Sequence, residues 1–435
     1  MQKNKSMKIL ILSTFERNGG AAIAANRLMH ALNKAGHEAK MLVRDKQTDD
    51  ENVVSINTNW LKKKLNFLRF AYERWVIFVH NGFNRKELFT VSIANTGTNI
   101  SKHPLVQAAD VIHLHWINQG FLSLKNIQQL IQTNKPIVWT MHDMWHSTGI
   151  CHYVANSGTM PHIAAVPPID YSCNSYKTEC GECPLLKSSI KHDLSHKTWR
   201  RKRFFAKDIR FIAVSTWLQE QAHKSPLLKT ANIEVIPNVI DINVFKSSDK
   251  FSVRKELSLP IDKKIILMGA AQLNNPLKGF SYLQKALRCL TSTENNYLLV
   301  LFGKIKDAPD FFNALPISHI HLGEIADIVQ IAKLYQAADV TVVPSLYETF
   351  GQTISEAMAC GCPAVSFDNS GQTDIIVHKK TGYLAKYKDA EDLAKGILFC
   401  LENNAELSAN AREKILKTYA EDVVAQQYLN LYNGK

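Results

Sequence analysis

Residues 346–363 read LYETFGQTISEAMACGCP, and the short apolar run TVVP at 341–344 leads into them. That run has the look of a buried strand, and helical spacing begins near Gln352. Glu348 and Glu356 have seven residues between them, with Phe350-Gly351-Gln352-Thr353 in the gap. In open α/β sheets, ligands bind at the carboxyl ends of strands, where helices begin. A helix start offers N–H groups and partial positive charge, which suits a phosphate. The N–H groups of Phe350 to Thr353 would then point into the crevice, and Gly351 would let a ligand come close to the backbone. Glu348 would lie in the loop and Glu356 about one turn into the helix. Carboxylates accept hydrogen bonds from vicinal hydroxyls, so the pair fits a sugar–diphosphate–ribose ligand. A simple preference of acidic residues for helix starts accounts for either glutamate alone. It does not account for the strand, the glycine and both glutamates together.

Working outward, the same strand–helix rhythm fills the chain. KILILS at 8–13 reads as a strand, Asn18-Gly19-Gly20 as a turn, and the stretch from Ala21 to Val43 as helix, stop and second strand. DVIHLHW at 110–116, KPIVWTMHD at 135–143, RFIAVST at 210–216 and IEVIPN at 233–238 continue the series. It restarts with KKIILMGAA at 263–271, then NYLLVLFG, ISHIHLG and DVTVVPS. Alternating strands and helices imply parallel sheets covered on both faces. A chain of 435 residues exceeds one ordinary domain. Two doubly wound α/β domains facing each other are expected, with a joint near 241–262 and terminal helices after it.

The 346–363 segment resembles the donor-binding motif of the large family of retaining glycosyltransferases numbered four, which have the GT-B fold. The NGGA turn, WTMHD, AVST, IPNVID and the Lys-Gly turn after GAA fit the same family in order. The resemblance implies two Rossmann-like domains facing a cleft. Residues 1–245 form the acceptor-side domain with a cysteine-rich insert near 144–209, residues 246–417 the nucleotide-sugar-binding domain, and 418–435 a helix returning to the first. It implies that Glu356 holds the donor ribose and Glu348 the hexose hydroxyls. The N–H groups near Phe350, Gly351 and Gln352 bind the hexose, and Thr353 binds the diphosphate. Lys278 neutralises the leaving diphosphate. Gly19 and Gly20 allow close approach of donor phosphates or acceptor, and His142 lies by the transferred sugar. His115 and Asp143 are expected on the acceptor side. No aspartate-rich metal motif stands out, which fits transfer without a metal cofactor. One departure is clear: such enzymes commonly have an Arg shortly before the Lys, and GAAQLNNPLKGF has none. Gln272, Asn274 or Asn275 is expected to fill that space, or an Arg from elsewhere. Sugar-nucleotide epimerisation, phosphorolysis, or a non-catalytic nucleotide-sugar-binding subunit are the alternatives to transfer.

The charge is lopsided. Residues 1–241 hold 31 Lys+Arg and 18 Asp+Glu, so the net +13 of the chain lies entirely there. This favours an anionic partner such as a membrane surface or a lipid diphosphate; no spacing supports nucleic acid. Residues 60–79 place Trp60, Leu61, Leu65, Leu68, Tyr72, Trp75 and Val79 at near-helical spacing among Lys62, Lys63, Lys64, Arg69 and Arg74. Such a helix either lies in a membrane interface or packs on its own domain with a solvated basic face. The run Arg200-Arg201-Lys202-Arg203 reads as a solvated helix face. No run of 18 apolar residues suggests a spanning helix. The N-terminal lysines and apolar run read as a first strand rather than a signal peptide. A cytoplasmic enzyme, peripheral on the inner membrane face, is expected. Cys151, Cys173, Cys180 and Cys183 cluster in the insert, open to a structural zinc, two disulfides or free thiols. Cys289, Cys360, Cys362 and Cys400 read as buried small hydrophobes.

Overall fold

The computed structural model describes residues 6–85, 88–154, 173–290, 296–308 and 310–434. The centre of the insert, 155–172, lies outside the described residues. The chain divides into two compact units. The first holds the described residues up to 154, 173–237 and 425–434, and the second holds 238–424.

In the first unit the strands are β1 (Lys8–Phe15), β2 (Glu38–Asp45), β3 (Val53–Ser55), β4 (Val111–Leu114), β5 (Ile137–Met141), β6 (Arg210–Ala213) and β7 (Ile233–Val235). They form one sheet in the order β3-β2-β1-β4-β5-β6-β7, with every neighbouring pair parallel. Ile9 to Leu12 of β1 are buried without alternation, as expected of a parallel strand covered on both faces. Helix α1 (Gly20–Lys34) follows β1 and turns Ala22, Ala25, Met29 and Leu32 inward at helical spacing.

The last helix, Glu421–Tyr432, completes this unit through its second half. The Tyr432 hydroxyl lies 2.7 Å from His113 Nδ1, and His113 Nε2 lies 2.8 Å from Thr140 Oγ1. Tyr428 bonds Thr140 at 3.0 Å, and the Arg210 guanidinium donates to the Leu431 carbonyl at 2.7 Å. His113, fully buried in mid-strand, is thus a packing residue with both nitrogens engaged.

The second unit repeats the plan. Its strands are β8 (Lys264–Gln272), β9 (Tyr297–Lys304), β10 (His319–His321), β11 (Val340–Val343), β12 (Ala364–Phe367) and β13 (Gly382–Ala385). Their order is β10-β9-β8-β11-β12-β13, again parallel throughout. Asp339, just before β11, accepts from Lys250 Nζ at 2.8 Å, Arg254 Nη2 at 2.7 Å and the Ile265 N–H at 2.7 Å. Two cations and a backbone donor satisfy this buried carboxylate and fix β11 beside β8.

One expectation for the first unit changes. Arg200, Arg201 and Arg203 are exposed, but Lys202 between them is wholly buried. Its Nζ donates to the Trp145 carbonyl at 2.6 Å and the Thr148 carbonyl at 3.1 Å, and sits 3.4 Å from the Trp145 ring centroid. A basic run reads as solvent-facing until tertiary structure supplies acceptors to one member. Cys151, Cys173, Cys180 and Cys183, the expected staple of the insert, lie within electrostatic reach of one another. All four are free thiols, and among the described residues no group of three or more His, Cys, Asp or Glu side chains is placed to hold a metal ion. Cys151 and Cys183 pack instead in an apolar cluster with Ile77, Val91, Ile150 and Leu186. The Gly149 N–H donates to Cys180 Sγ at 3.1 Å. The hydrogen bond to Cys183, then burial, push the Cys151 thiol up, and burial pushes Cys180 up to about 12.

Among the other cysteines, Cys360, Cys362 and Cys400 are buried as expected, but Cys289 is exposed on its helix. Titration of the native protein with an aromatic disulfide reagent at pH 8 should therefore show one fast thiol, followed by the half-buried Cys173. Cys289→Ser should remove the fast phase. A fast phase that survives the substitution would contradict this assignment.

Candidate functional site

Both sheets reverse their strand order beside the first strand, between β1 and β4 in one unit and β8 and β11 in the other. There the connections on either side diverge to opposite faces and leave a crevice at the carboxyl edge. The candidate residues lie at these two edges.

In the second unit the loop after β8 is pressed onto the loop after β11. The Leu346 N–H donates to the Leu277 carbonyl at 2.8 Å. Gly279 has φ +68°, and a Cβ there would stand 1.8 Å from the Pro344 carbonyl oxygen, so only glycine allows the approach. Lys278 ends a short 3₁₀ turn, Pro276–Lys278, capped by the Asn275 side chain through the Leu277 N–H at 3.0 Å. Its Nζ meets Glu348 Oε1 at 2.7 Å, with both side chains partly exposed. Glu348 is itself positioned: its N–H donates to Ser370 Oγ at 3.1 Å and its carbonyl accepts from the Gly371 N–H at 2.8 Å. Gly371 is required here because a Cβ would meet the Thr349 carbonyl at 2.1 Å.

The helix Gln352–Ala359 begins immediately afterwards. Its N-cap is Gly351, at φ +112°, and no side chain caps it. A side-chain cap would have occupied the N–H groups that helix geometry leaves without partners inside the helix. Phe350 is buried and packs edge-on to Tyr419, with ring centroids 5.7 Å apart, so its contribution at the crevice is backbone. The Thr353 hydroxyl bonds Tyr335. Glu356 follows in the second turn, half-buried. The sequence thus places Lys278, Glu348, Gly351, Gln352, Thr353 and Glu356 on one loop–helix edge of one unit. It did not single out Gly279, Ser370 and Gly371, which hold the edge together. A Lys-Gly turn and a Ser-Gly pair were the available signals.

The stretch expected to replace the missing Arg is largely used in building the loop. The Asn274 amide donates to the Lys306 carbonyl, and its oxygen accepts from the Lys306 N–H at 3.1 Å and from Gln272 Nε2 at 3.1 Å. Asn275 is committed to its cap.

In the first unit, Gly19 caps α1 at φ 90°, and Gly20 begins the helix. Nothing would obstruct a Cβ at Gly19, so backbone conformation alone requires the glycine. His115 Nδ1 and His142 Nε2 are 2.8 Å apart, just past β4 and β5. His115 is buried and His142 is intermediate in burial. Burial lowers His142 to about 4, against the opposing pull of Asp143. Asp143 faces inward: Oδ2 accepts from Trp116 Nε1 at 3.0 Å and pairs with His152 Nδ1 at 2.7 Å, while Oδ1 accepts from the Trp145 N–H at 2.9 Å. Burial would raise its carboxyl, but His152, His146 and the Trp145 N–H bring it down to about 2. With both oxygens engaged, Asp143 braces the insert against β5 and does not open to the acceptor side expected for it.

Two family models match the chain. One, described as Glycosyltransferase Family 4, covers residues 18–244; the other, Glycosyl transferases group 1, covers 249–418. An uncharacterised glycosyltransferase of Methanocaldococcus jannaschii is 26% identical over 351 residues, covering 77% of this chain and 85% of that one. The N,N'-diacetylbacillosaminyl-diphospho-undecaprenol alpha-1,3-N-acetylgalactosaminyltransferase of Campylobacter jejuni is 35% identical over 219 residues, 47% of this chain and 55% of that protein. The crystal structure of Anabaena HepE in complex with UDP superposes with a TM-score of 0.61 over 99% of this chain and 100% of that one. Its sequence identity is 18%, so the likeness is one of fold, the two-domain GT-B architecture.

The histidines of the first unit make its stability depend on pH. Burial holds His113 and His146 near 3 and His142 near 4, against an ordinary value of 6.5. The unfolded chain takes up these protons near 6.5 and the folded chain does not, so their contribution is complete above that pH and declines below it. The lowered Asp143 acts in the same sense at lower pH. Stability from denaturant unfolding should fall by on the order of a few kcal/mol between pH 7 and 4.5. A flat profile would contradict the buried neutral imidazoles.

Proposed function

Because the chain belongs to Glycosyltransferase Family 4, we propose that it transfers a hexosyl unit from a nucleotide-diphosphate sugar to a glycan or lipid-linked acceptor, with retention at the anomeric carbon, in surface polysaccharide synthesis. The observation that carries this reading is the Lys278–Glu348 pair, held at 2.7 Å beside a helix that starts at an uncapped glycine. A diphosphate at the helix start meets backbone N–H groups and the Lys278 ammonium together. Glu348 then accepts from hexose hydroxyls, and Glu356, a turn further in, accepts from the ribose. The solved structures of HepE hold UDP and UDP-glucose, which supports a nucleotide sugar as donor. The name of the Campylobacter relative specifies an alpha linkage and a diphospho-undecaprenol acceptor, which supports retention and a lipid-diphosphate acceptor.

In this mechanism the bond from the anomeric carbon to the diphosphate oxygen breaks, and a bond to the acceptor hydroxyl forms on the same face. The acceptor proton passes to the leaving diphosphate, so no separate strong base is needed. Negative charge grows on the diphosphate, and Lys278 and the helix N–H groups are assigned to stabilise it. Such preorganised electrostatics are often the largest catalytic contribution. Gly19, Gly20, His115 and His142, at the carboxyl edge of the first unit, are assigned to the acceptor and the sugar in transit. His142, held neutral at pH 7 by burial, adds no charge there. The enzyme works in the cytoplasm at the inner membrane face, without a metal cofactor.

A thermal-shift panel of nucleotide sugars identifies the donor, since a ligand that binds only the folded state raises its stability. With that donor, Lys278→Ala should lower turnover by at least ~10²-fold; unchanged kinetics would remove Lys278 from the mechanism. Glu356→Ala should weaken donor binding. Product from an alpha-linked donor should carry an alpha linkage by NMR, and a beta product would overturn retention.

A further inference from the structure

Helix α2 (Trp60–His80) is amphipathic the wrong way round for a helix on a soluble fold. The residues it buries include Asn66, Glu73 and Arg74. Each is placed by polar partners. Glu73 Oε1 accepts from the N–H groups of Ile93 at 2.9 Å and Ala94 at 3.0 Å, and Glu73 pairs with Arg74 at 3.1 Å. Arg74 donates to the carbonyls of Leu88 and Val91, and Asn66 bonds Asn57, Arg69 and Thr98. With its polar residues consumed inward, the helix presents its apolar ones outward. Leu61, Leu65, Leu68, Tyr72, Trp75 and Val79 follow each other at intervals of four and three, which aligns them in one stripe about 27 Å long. All six are exposed, from 36% at Val79 to 66% at Leu61. Trp60 and Phe67 on this helix are exposed too, at 68% and 63%.

We propose that this stripe is a docking surface for an anionic lipid bilayer, on which α2 lies parallel to the membrane with its outward side chains among the acyl chains and headgroups. Two observations select lipid over a second copy of the chain. The first is charge. Lys62, Lys63 and Lys64 are exposed at the start of the helix and Arg85 lies just past its end, while the only acid of the helix, Glu73, is buried. Copies meeting along this stripe would bring like charges together, whereas anionic headgroups would neutralise them. The second is composition. Trp60, Tyr72 and Trp75 are side chains suited to the headgroup boundary, with an apolar body and a polar edge. The surface continues past the helix, where Phe83 and Ile190, both 66% exposed, line one cavity with Lys187. The proposal deepens the lipid-linked acceptor of the proposed reaction but stands on the surface alone, so the two are tested separately.

The full chain is sedimented with vesicles of phosphatidylcholine or of phosphatidylcholine containing phosphatidylglycerol. It should pellet with the anionic vesicles, at least tenfold more than with neutral ones, and added salt should weaken binding without abolishing it. The triple variant Leu65→Gln, Leu68→Gln, Trp75→Gln should lose vesicle binding while keeping the wild-type unfolding midpoint. The single variant Trp75→Phe should retain it, and Trp75 fluorescence should shift to the blue on binding. Absence of pelleting with either vesicle would overturn the proposal. So would a concentration-dependent dimer that the triple variant abolishes, which would make the stripe a chain–chain interface. Donor hydrolysis without added lipid is measured in the same preparations. Its failure alongside intact vesicle binding would count against the transferase reading and leave the docking surface standing.

Discussion

The hydrogen bond from the Leu346 N–H to the Leu277 carbonyl, closed over a residue that cannot carry a side chain, organises the second unit's edge. It joins the exits of two strands that are neighbours in the sheet but whose last residues, Gln272 of β8 and Val343 of β11, are 71 residues apart. With Gly279 lodged against Pro344, the ammonium of residue 278 has little choice but to stand over the loop that carries Glu348. The same contact places the start of the next helix alongside. An ion pair of this exposure adds little stability by itself. Its importance is geometric, because it holds a cation and a carboxylate ready at the place where a helix already concentrates N–H groups.

The first unit reaches an equivalent edge by another route. There two imidazoles bond each other, and the carboxylate beside them turns into the core. Asp143, His152 and Trp116 form a buried polar brace, and Lys202 closes over Trp145 behind it. The insert is thus tied to the sheet by polar groups that are satisfied one by one, which low polarity makes costly to disturb. Cys151 and Cys183 contribute to the apolar cluster beneath it.

What could be read from the chain follows what is local. Strand–helix alternation, the glycine before Gln352 and the spacing of the two glutamates are periodic or adjacent features, and they place the sheets and the second unit's edge. What could not be read depends on partners distant in sequence. Lys202 sits in a run of four basic residues and differs from its neighbours only because Trp145 and Thr148 turn two carbonyls toward it. Asp143 carries no local mark that three donors will surround it. The spacing along α2 marks an apolar stripe, but not its direction, because the inward pull comes from Ile93, Ala94, Leu88 and Val91. Cys289 lies on an amphipathic helix, where its side of the axis depends on packing.

The final helix has a consequence for how the molecule is made. Tyr428 and Tyr432 supply hydroxyls to Thr140 and His113 at the centre of the first sheet, and residues 425–434 are counted within that unit. Those tyrosines are synthesised after the whole second unit. The amino-terminal half, though synthesised first, lacks the last element of its core until then. The hydroxyl partners of His113 and Thr140 arrive only after the second unit has been synthesised.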